Sequence, residues 1–234
     1  VWRVWRKKSL TQSSLVAMGV SSANSGYVGY PILLQLLGPA AGVGLALTVL
    51  VENLVTIPLA LAMAESGETA HLSWRHTVLQ SLKRMAKIPM MQAIVLGFAF
   101  SILGWHLPEV LSKTVNLFAA STAAIALFVN GGSLVGMRVL GLIQEVRWIA
   151  IGKLVVHPLA VGLMLMVVGP MEPSLKISAV LLAGMPMLGI YPLLAQRHGE
   201  EGFCAAALLV TTVASFFTVS LIVWAMGELP GWHV

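Results

Sequence analysis

Two segments of the chain repeat the same helix-breaking residues, a pattern that is typical of a binding site inside a membrane. Residues 30–38 read YPILLQLLG and residues 191–199 read YPLLAQRHG, so Tyr, Pro, Gln and Gly recur 161 positions apart. A proline removes a backbone donor from a helix and clashes with the preceding turn. Hydrocarbon tolerates such a break only where the freed groups line a cavity or find protein partners. Interrupted apolar segments in two corresponding halves therefore indicate the substrate site of a secondary transporter.

The first interrupted segment carries polar side chains that suit a ligand. Residues 21–31 read SSANSGYVGYP, and Asn and Ser side chains at mid-membrane depth are costly unless they bind something. We predict that Gly26 and Gly29 allow an unwound backbone, that Pro31 opens the new half-helix, and that the freed amides attract an anion. A small-residue packing face with a proline kink is the alternative. We predict that the following residues bind substrate: Asn24, Ser25, Gly26, Tyr27 and Pro31.

The second interrupted segment has two prolines but little side-chain polarity. Residues 183–192 read AGMPMLGIYP. If this segment contributes to a substrate site, it does so through its backbone around Pro186 and Pro192 and through the Tyr191 hydroxyl. A merely kinked helix is the alternative.

Glu52 is the one acidic residue well inside an apolar run. It lies about twelve residues into its helix, and a rise of about 1.5 Å per residue puts it near the middle of the bilayer. An ionisable side chain at that depth is a functional candidate by default, and we predict that Glu52 couples protons to transport. A neutral Glu that is hydrogen-bonded to a neighbouring helix is the alternative.

Lys153 and His157 are four residues apart and share one helix face. We predict that Lys153 faces an anionic substrate or Glu52 and that His157, a side chain able to titrate near neutral pH, takes part in proton coupling. A lysine that snorkels to the cytoplasmic face and a satisfied core histidine are the alternatives.

Asn130 precedes Gly131, Gly132 and Ser133, and it is a further candidate for substrate binding. This stretch either lines a cavity or allows close helix packing. The chain has one cysteine, Cys204, and no Asp, so we predict no metal site, no cofactor and no catalytic group.

The composition predicts an integral membrane protein whose helices position these residues. The chain is 58% hydrophobic and only 10% charged, against about 25% charged in an ordinary soluble domain. We predict about seven membrane helices, each near the length of about 20 residues that spanning requires. They cover residues 13–37, 40–63, 88–105, 115–137, 148–168, 175–196 and 203–226.

The charge distribution follows membrane topology, so the net charge of +5 predicts no nucleic-acid partner. By the positive-inside rule, the side richer in Lys and Arg is cytoplasmic, which puts the tail 227–234 outside. The opposite side holds only Lys113 and Lys176. The cytoplasmic side would hold eleven of the 14 Lys and Arg: Arg3, Arg6, Lys7, Lys8, Arg75, Lys83, Arg84, Lys87, Arg138, Arg147 and Arg197.

The repeat offset divides the chain into two parts. Residues 1–63 would be the last two helices of a first repeat, 64–87 a cytoplasmic linker, and 88–234 a second repeat of five helices. The two interrupted helices then run in opposite directions, which makes the repeat inverted. Equal halves require three further helices ahead of residue 1, and we expect the chain to be a fragment.

These motifs resemble the auxin efflux carrier family, which includes bacterial malonate permeases. Residues 24–31 (NSGYVGYP) are similar to its Asn-Thr/Ser-Gly-aromatic-x-Gly-x-Pro signature. Residues 185–186 followed by 194–199 (LAQRHG) are similar to its penultimate-helix signature. Residues 127–134 resemble its Gly-rich helix end, and Lys153 with Pro158 resembles its lysine-containing helix. Relatives often carry Thr or Asn after the Met-Pro, where this chain has Met187 and Leu188.

The resemblance implies a ten-helix fold with two inverted repeats, crossing broken helices, and elevator-like alternating access. It implies a permease, not an enzyme, for small organic anions such as malonate in the bacterial inner membrane. Proton or sodium coupling and a homodimer stay open. The alternatives are a cation/proton antiporter, a bile-acid-type sodium symporter, an intramembrane enzyme, and a receptor or scaffold that transports nothing.

Overall fold

The computed structural model describes residues 9–66, 89–133 and 143–228, and no strand occurs within these ranges. The predicted all-helical class is confirmed. The predicted linker 64–87 and tail 227–234 lie largely outside the described residues, as does the basic segment before Ser9. In chain order the helices are α1 Leu10–Ser21, α2 Tyr30–Leu37, α3 Ala41–Val51, α4 Ile57–Ser66, α5 Pro89–Ile102, α6 Glu109–Ser133, α7 Ile143–Ile151, α8 His157–Val168, α9 Pro173–Ala183, α10 Tyr191–Ala195 and α11 Glu201–Glu228.

Three helical stretches of the described part are long and apolar enough to cross a membrane: Leu10–Ala64, Val146–Val168 and Glu201–Glu228. The stretch Leu10–Ala64 has 55 residues, more than a single crossing requires. Each predicted span overlaps one or more helices, but the number of seven crossings stays a prediction.

Three π turns widen the helices of the described residues, and each begins six residues before a proline. They are Ser25–Gly29 before Pro31, Glu52–Thr56 before Pro58, and Gly152–Val156 before Pro158. In each turn the residue just before the proline donates its amide to a carbonyl five positions back. Because proline has no N–H and its ring clashes with the carbonyl four positions back, the extra residue relieves a clash that would otherwise kink the helix.

The first interrupted helix is broken at residues 22–24, between α1 and the turn Ser25–Gly29. The helix resumes at Ser25, so the prediction that Pro31 opens the new half-helix is wrong. Pro31 is the second residue of α2, already inside a helical run. The prediction that Gly26 and Gly29 unwind the backbone is also wrong, since both lie in the π turn.

The second interrupted helix is broken at residues 184–190, between α9 and the short helix α10. Pro192 is the second residue of α10, where a missing amide costs no hydrogen bond. The second break is therefore longer than the first break. The helix after it begins with Tyr191 and Pro192, the arrangement that we predicted for the first break.

Two hydrophobic cores lie on either side of the breaks. Core A joins α1, α4, α7, α10 and α11, and core B joins α2, α3, α9 and α11. Members of core A include Leu15, Met18, Ile149, Met187, Tyr191 and Phe203. Members of core B include Ala23, Leu33, Leu181, Leu182, Met185 and Val219. The breaks thus lie where the two cores meet.

Candidate functional site

The two breaks touch each other. The amide of Asn24 donates to the carbonyl oxygen of Pro186 at 2.8 Å. Gly29 packs so closely against Leu182 and Met185 that a Cβ atom at this position would collide with the Leu182 side chain. A side chain at position 29 would therefore force the Leu182 side chain to move.

The carboxylate of Glu52 accepts a hydrogen bond from a backbone amide at the first break. Ala23 lies past the end of α1, and its N–H donates to Glu52 Oε1 at 2.7 Å. The Ser25 hydroxyl lies 3.4 Å from each carboxylate oxygen. Glu52 is only 6% exposed, and it begins the π turn Glu52–Thr56. The structure thus brings the predicted residues Ser25 and Glu52 together and adds the Ala23 amide, which sequence reasoning missed.

Asn24 leaves a polar atom without a partner at the same place. The residue is 3% exposed, and no hydrogen bond to its Oδ1 is found within the described residues. Its backbone carbonyl accepts from the amides of Val28 and Gly29. Buried polar side-chain atoms in native proteins are mostly hydrogen-bonded, so the Asn24 oxygen is an acceptor that could receive an O–H or N–H donor of a ligand.

The resumed helix directs its first amides toward the same break. The leading amides of a helix have no carbonyl acceptor within that helix, and here they belong to Ser25, Gly26 and Tyr27. Gly26 has open space around it and Tyr27 is 51% exposed. These amides can therefore donate hydrogen bonds to an anion that approaches from the side on which Tyr27 is exposed.

A cleft of about 310 Å³ opens onto the first break. Thr48, Glu52 and Thr56 stand four residues apart on one helix face and all line it. Ala23 and His157 contribute to other parts of the wall. The spacing of the threonines around Glu52 was a readable signal of this polar stripe that our sequence reasoning did not use.

Lys153 and His157 form a second polar group beside the cleft. Lys153 is completely buried, which excludes the snorkelling alternative. Its Nζ lies 3.3 Å from His157 Nδ1, and that nitrogen lies 3.1 Å from the carbonyl oxygen of Ala183. No ion pair between Lys153 and Glu52 falls within 4.0 Å among the described residues. The cationic side chain therefore stands near the break without occupying it.

The second break is filled by apolar side chains. Met185 and Met187 are both fully buried, one in core B and the other in core A. The Tyr191 hydroxyl donates to the carbonyl of Leu15 at 3.0 Å, and the ring lies against Gly19. Of the predicted residues in this half, Pro186 reaches the first break through its carbonyl, whereas Tyr191 lies in core A with its hydroxyl already bonded.

Two predicted features remain to be placed. Asn130 lies near the end of α6, and its side chain lies outside the described residues. The middle of that helix is exposed, but α6 contacts the turn Ser25–Gly29. No group of three His, Cys, Asp or Glu residues that could hold a metal ion occurs within the described ranges.

Sequence comparisons identify the class to which this architecture belongs. A family model described as "Membrane transport protein" matches residues 1–224. The chain belongs to this family of membrane transport proteins, and the resemblance to the auxin efflux carrier family is confirmed. Family membership and the apolar helices identify an integral membrane protein, and they indicate a transporter rather than an enzyme.

Two curated relatives are similar to the chain. A protein of Rhizobium meliloti (strain 1021) named "Putative malonate transporter" is 27% identical over 228 residues, covering 96% of this chain and 71% of that protein. "Uncharacterized transporter YfdV" of Escherichia coli (strain K12) is 25% identical over 156 residues, covering 66% of this chain and 49% of that protein. The alignment thus spans about half the length of the second relative.

Proposed function

We propose that the protein is a secondary active transporter that moves small organic anions, with malonate-like carboxylates as the leading substrate class. The observation that carries this proposal is the first break, where helix amides without an acceptor in their own helix and the Ser25 hydroxyl lie next to Ala23, which lines an open cleft. Helix amides set free at a break are donors suited to an anion. The name of the Rhizobium relative supports malonate as the first substrate to test.

The contact between Glu52 and Ala23 supports a carboxylate as the ligand. A carboxylate of the chain itself already accepts from the amide of the break at 2.7 Å. Charge-assisted hydrogen bonds of this kind are stronger than those between neutral groups. A substrate carboxylate of similar size would find the same donor, with Lys153 as a nearby cation.

Alternating access would follow from two inverted repeats of five helices, with breaks that cross. Residues 1–63 would complete the first repeat, 64–87 would form a cytoplasmic linker, and 88–234 would form the second repeat. The 161-residue offset and the hydrogen bond between Asn24 and Pro186 support this arrangement. We place the protein in the bacterial inner membrane with its C-terminus outside, and we leave a homodimer as an option.

Coupling would use protons, with Glu52 and His157 as the candidate carriers. Both line the cleft, and an ionisable side chain at membrane depth is commonly part of a proton or ion pathway. Transport that depends on sodium, or exchange of a cation for protons, would instead support a sodium-coupled anion symporter or a cation/proton antiporter.

Uptake of radiolabelled malonate into proteoliposomes holding the full-length protein tests the function, with and without an imposed pH gradient. We expect saturable uptake that an inward proton gradient stimulates and that Asn24→Ala abolishes. Asn53→Ala is the matched control, because the Asn53 amide bonds to the Val49 carbonyl of its own helix. Sodium or proton exchange without carboxylate uptake would contradict the proposal, and so would full uptake by Asn24→Ala.

A further inference from the structure

Glu52 stands where an incoming anion would bind. Its Oε1 accepts from the Ala23 amide at 2.7 Å, and both residues line the cleft of about 310 Å³. Glu52 is nearly completely buried and comes from a different helix, 29 positions along the chain from the amide it accepts. The Ala23 amide of the first break is therefore already hydrogen-bonded to a carboxylate of the protein.

We propose that Glu52 is an internal competitor of the substrate. The Glu52 carboxylate and a substrate carboxylate bind the same Ala23 amide, and the anion binds when Glu52 takes up one proton. This inference rests on the proposed transport of small carboxylates. It adds the reason why binding would be proton-linked and the number of protons carried with each anion.

The competition concerns the Ala23 amide alone. A backbone amide supplies one donor, and the Ser25 hydroxyl supplies one more. Glu52 engages the first at 2.7 Å and contacts the second at 3.4 Å. An ionised Glu52 is an acceptor only, so it offers nothing to a second carboxylate except repulsion in a poorly solvated site. A protonated Glu52 gains an O–H donor, which can bond to the substrate that displaced it.

The described residues bring few other ionisable groups near Glu52. His157 lines the same cleft, and Lys153 lies behind it, with its Nζ 3.3 Å from His157 Nδ1. From α1, α3 and α9 only uncharged residues line the cleft, among them Ser21, Thr48 and Ala179. An incoming carboxylate beside an ionised Glu52 would be repelled in this poorly solvated space. Protonation of Glu52 removes that repulsion, and the proton comes from the aqueous phase and leaves with the anion.

Calorimetry on the detergent-solubilised full-length protein tests the competition. Malonate is titrated in two buffers of different ionisation enthalpy, which gives the number of protons taken up per anion bound. We expect about one proton per malonate for the wild type in the pH range where Glu52 is ionised, and weaker binding as the pH rises. Glu52→Gln is expected to take up none and to bind malonate about tenfold more tightly at neutral pH, the factor that loss of one charged competitor for a hydrogen bond can carry.

Glu200→Gln is the matched control. Glu200 is an acidic residue whose carboxylate accepts from the Gln12 side chain, and it does not line the cleft. Its substitution should leave both the affinity and the proton number as in the wild type. If Glu52→Gln does not fold, the proton number and pH dependence of the wild type decide the question.

Two results would overturn the inference while leaving the proposed function in place. One is malonate binding to the wild type without proton uptake. The other is a Glu52→Gln protein that is folded but binds malonate more weakly, which would make Glu52 a partner of the substrate. If the wild type binds none of malonate, acetate and succinate, the proposed function itself fails, and the competition fails with it.

Discussion

At the first break the chain places Asn24 and Ser25, with Glu52 bonded to the free Ala23 amide. At the second break, the equivalent of Asn24 at the offset of 161 residues is Met185, which is fully buried in core B. The equivalent of Glu52 is Val213, which is 60% exposed. The two halves thus share a helix interruption and the pair Tyr30 and Tyr191, but the second half has no counterpart of Asn24, Ser25 or Glu52.

This difference separates two uses of one backbone feature. The second break is anchored by methionines that enter the two cores, so its side chains serve packing. The first break packs closely at Gly29 and leaves helix amides that can donate to an anion. A duplicated break therefore does not by itself define two binding sites. The side chains indicate which copy retains a binding role.

The largest expected effect is that Met185→Ala loses stability whereas Asn24→Ala loses transport. Truncating a fully buried methionine removes about 2–5 kcal/mol from the free energy of unfolding, whereas Asn24 offers an oxygen with no partner to lose. We expect Met185→Ala to be strongly destabilised in a denaturant titration in detergent. Asn24→Ala should keep its stability and lose malonate uptake. A destabilised Asn24→Ala that still transports malonate would reverse the comparison.

Gly29→Ala tests the close contact between the breaks, with Gly26→Ala in the same π turn as its control. A Cβ at position 29 meets Leu182 and Met185, whereas nothing lies within 4 Å of one at position 26. Overpacking of this kind commonly costs about 1–3 kcal/mol. We expect a lowered free energy of unfolding for Gly29→Ala only. Equal stability of the two variants would show that the breaks can separate without cost.

Tyr191→Phe and Tyr30→Phe compare residues that occupy equivalent positions. The buried Tyr191 hydroxyl donates to the Leu15 carbonyl, and no hydrogen bond of the Tyr30 hydroxyl is found in the described part of the chain. Loss of one such bond removes about 1 kcal/mol, so Tyr191→Phe should unfold at lower denaturant concentration and Tyr30→Phe should not. A loss of malonate affinity in Tyr191→Phe at unchanged stability would instead assign this hydroxyl to the substrate.

Ser25→Ala should give the smallest effect. Its hydroxyl lies 3.4 Å from both oxygens of Glu52, which is long for a strong hydrogen bond. We expect the apparent affinity for malonate to fall by about two- to threefold, the equivalent of about half a kcal/mol. Ser14→Ala is the control, since that hydroxyl bonds only to the Leu10 carbonyl of its own helix. A loss of all uptake in Ser25→Ala would make the hydroxyl a principal ligand.

The helices were largely predictable because apolar runs and their interruptions by Gly and Pro are local features of the sequence. The burial of Glu52 was predictable because this residue lies inside an apolar run. The π turns were not predicted, although all three begin six residues before a proline. The error at Pro31 followed from this omission, because a widened turn lets a helix pass through a proline that would otherwise have to start it.

The bonds that define the site could not be predicted. The contact of Glu52 with Ala23 joins residues 29 positions apart, and that of Tyr191 with Leu15 joins residues 176 positions apart. Such pairs depend on how helices rotate against each other, which hydrophobic patterning specifies poorly when a helix is apolar on all sides. The sequence therefore identified the candidate residues but not which of them meet.

A density map of the full-length protein with malonate bound tests the central claim most directly. We expect ligand density in the cleft at the first break, within hydrogen-bonding distance of the Ala23 amide and the Ser25 hydroxyl. Density between Met185 and Met187 at the second break, or away from both breaks, would contradict the assignment of the binding site to the first break.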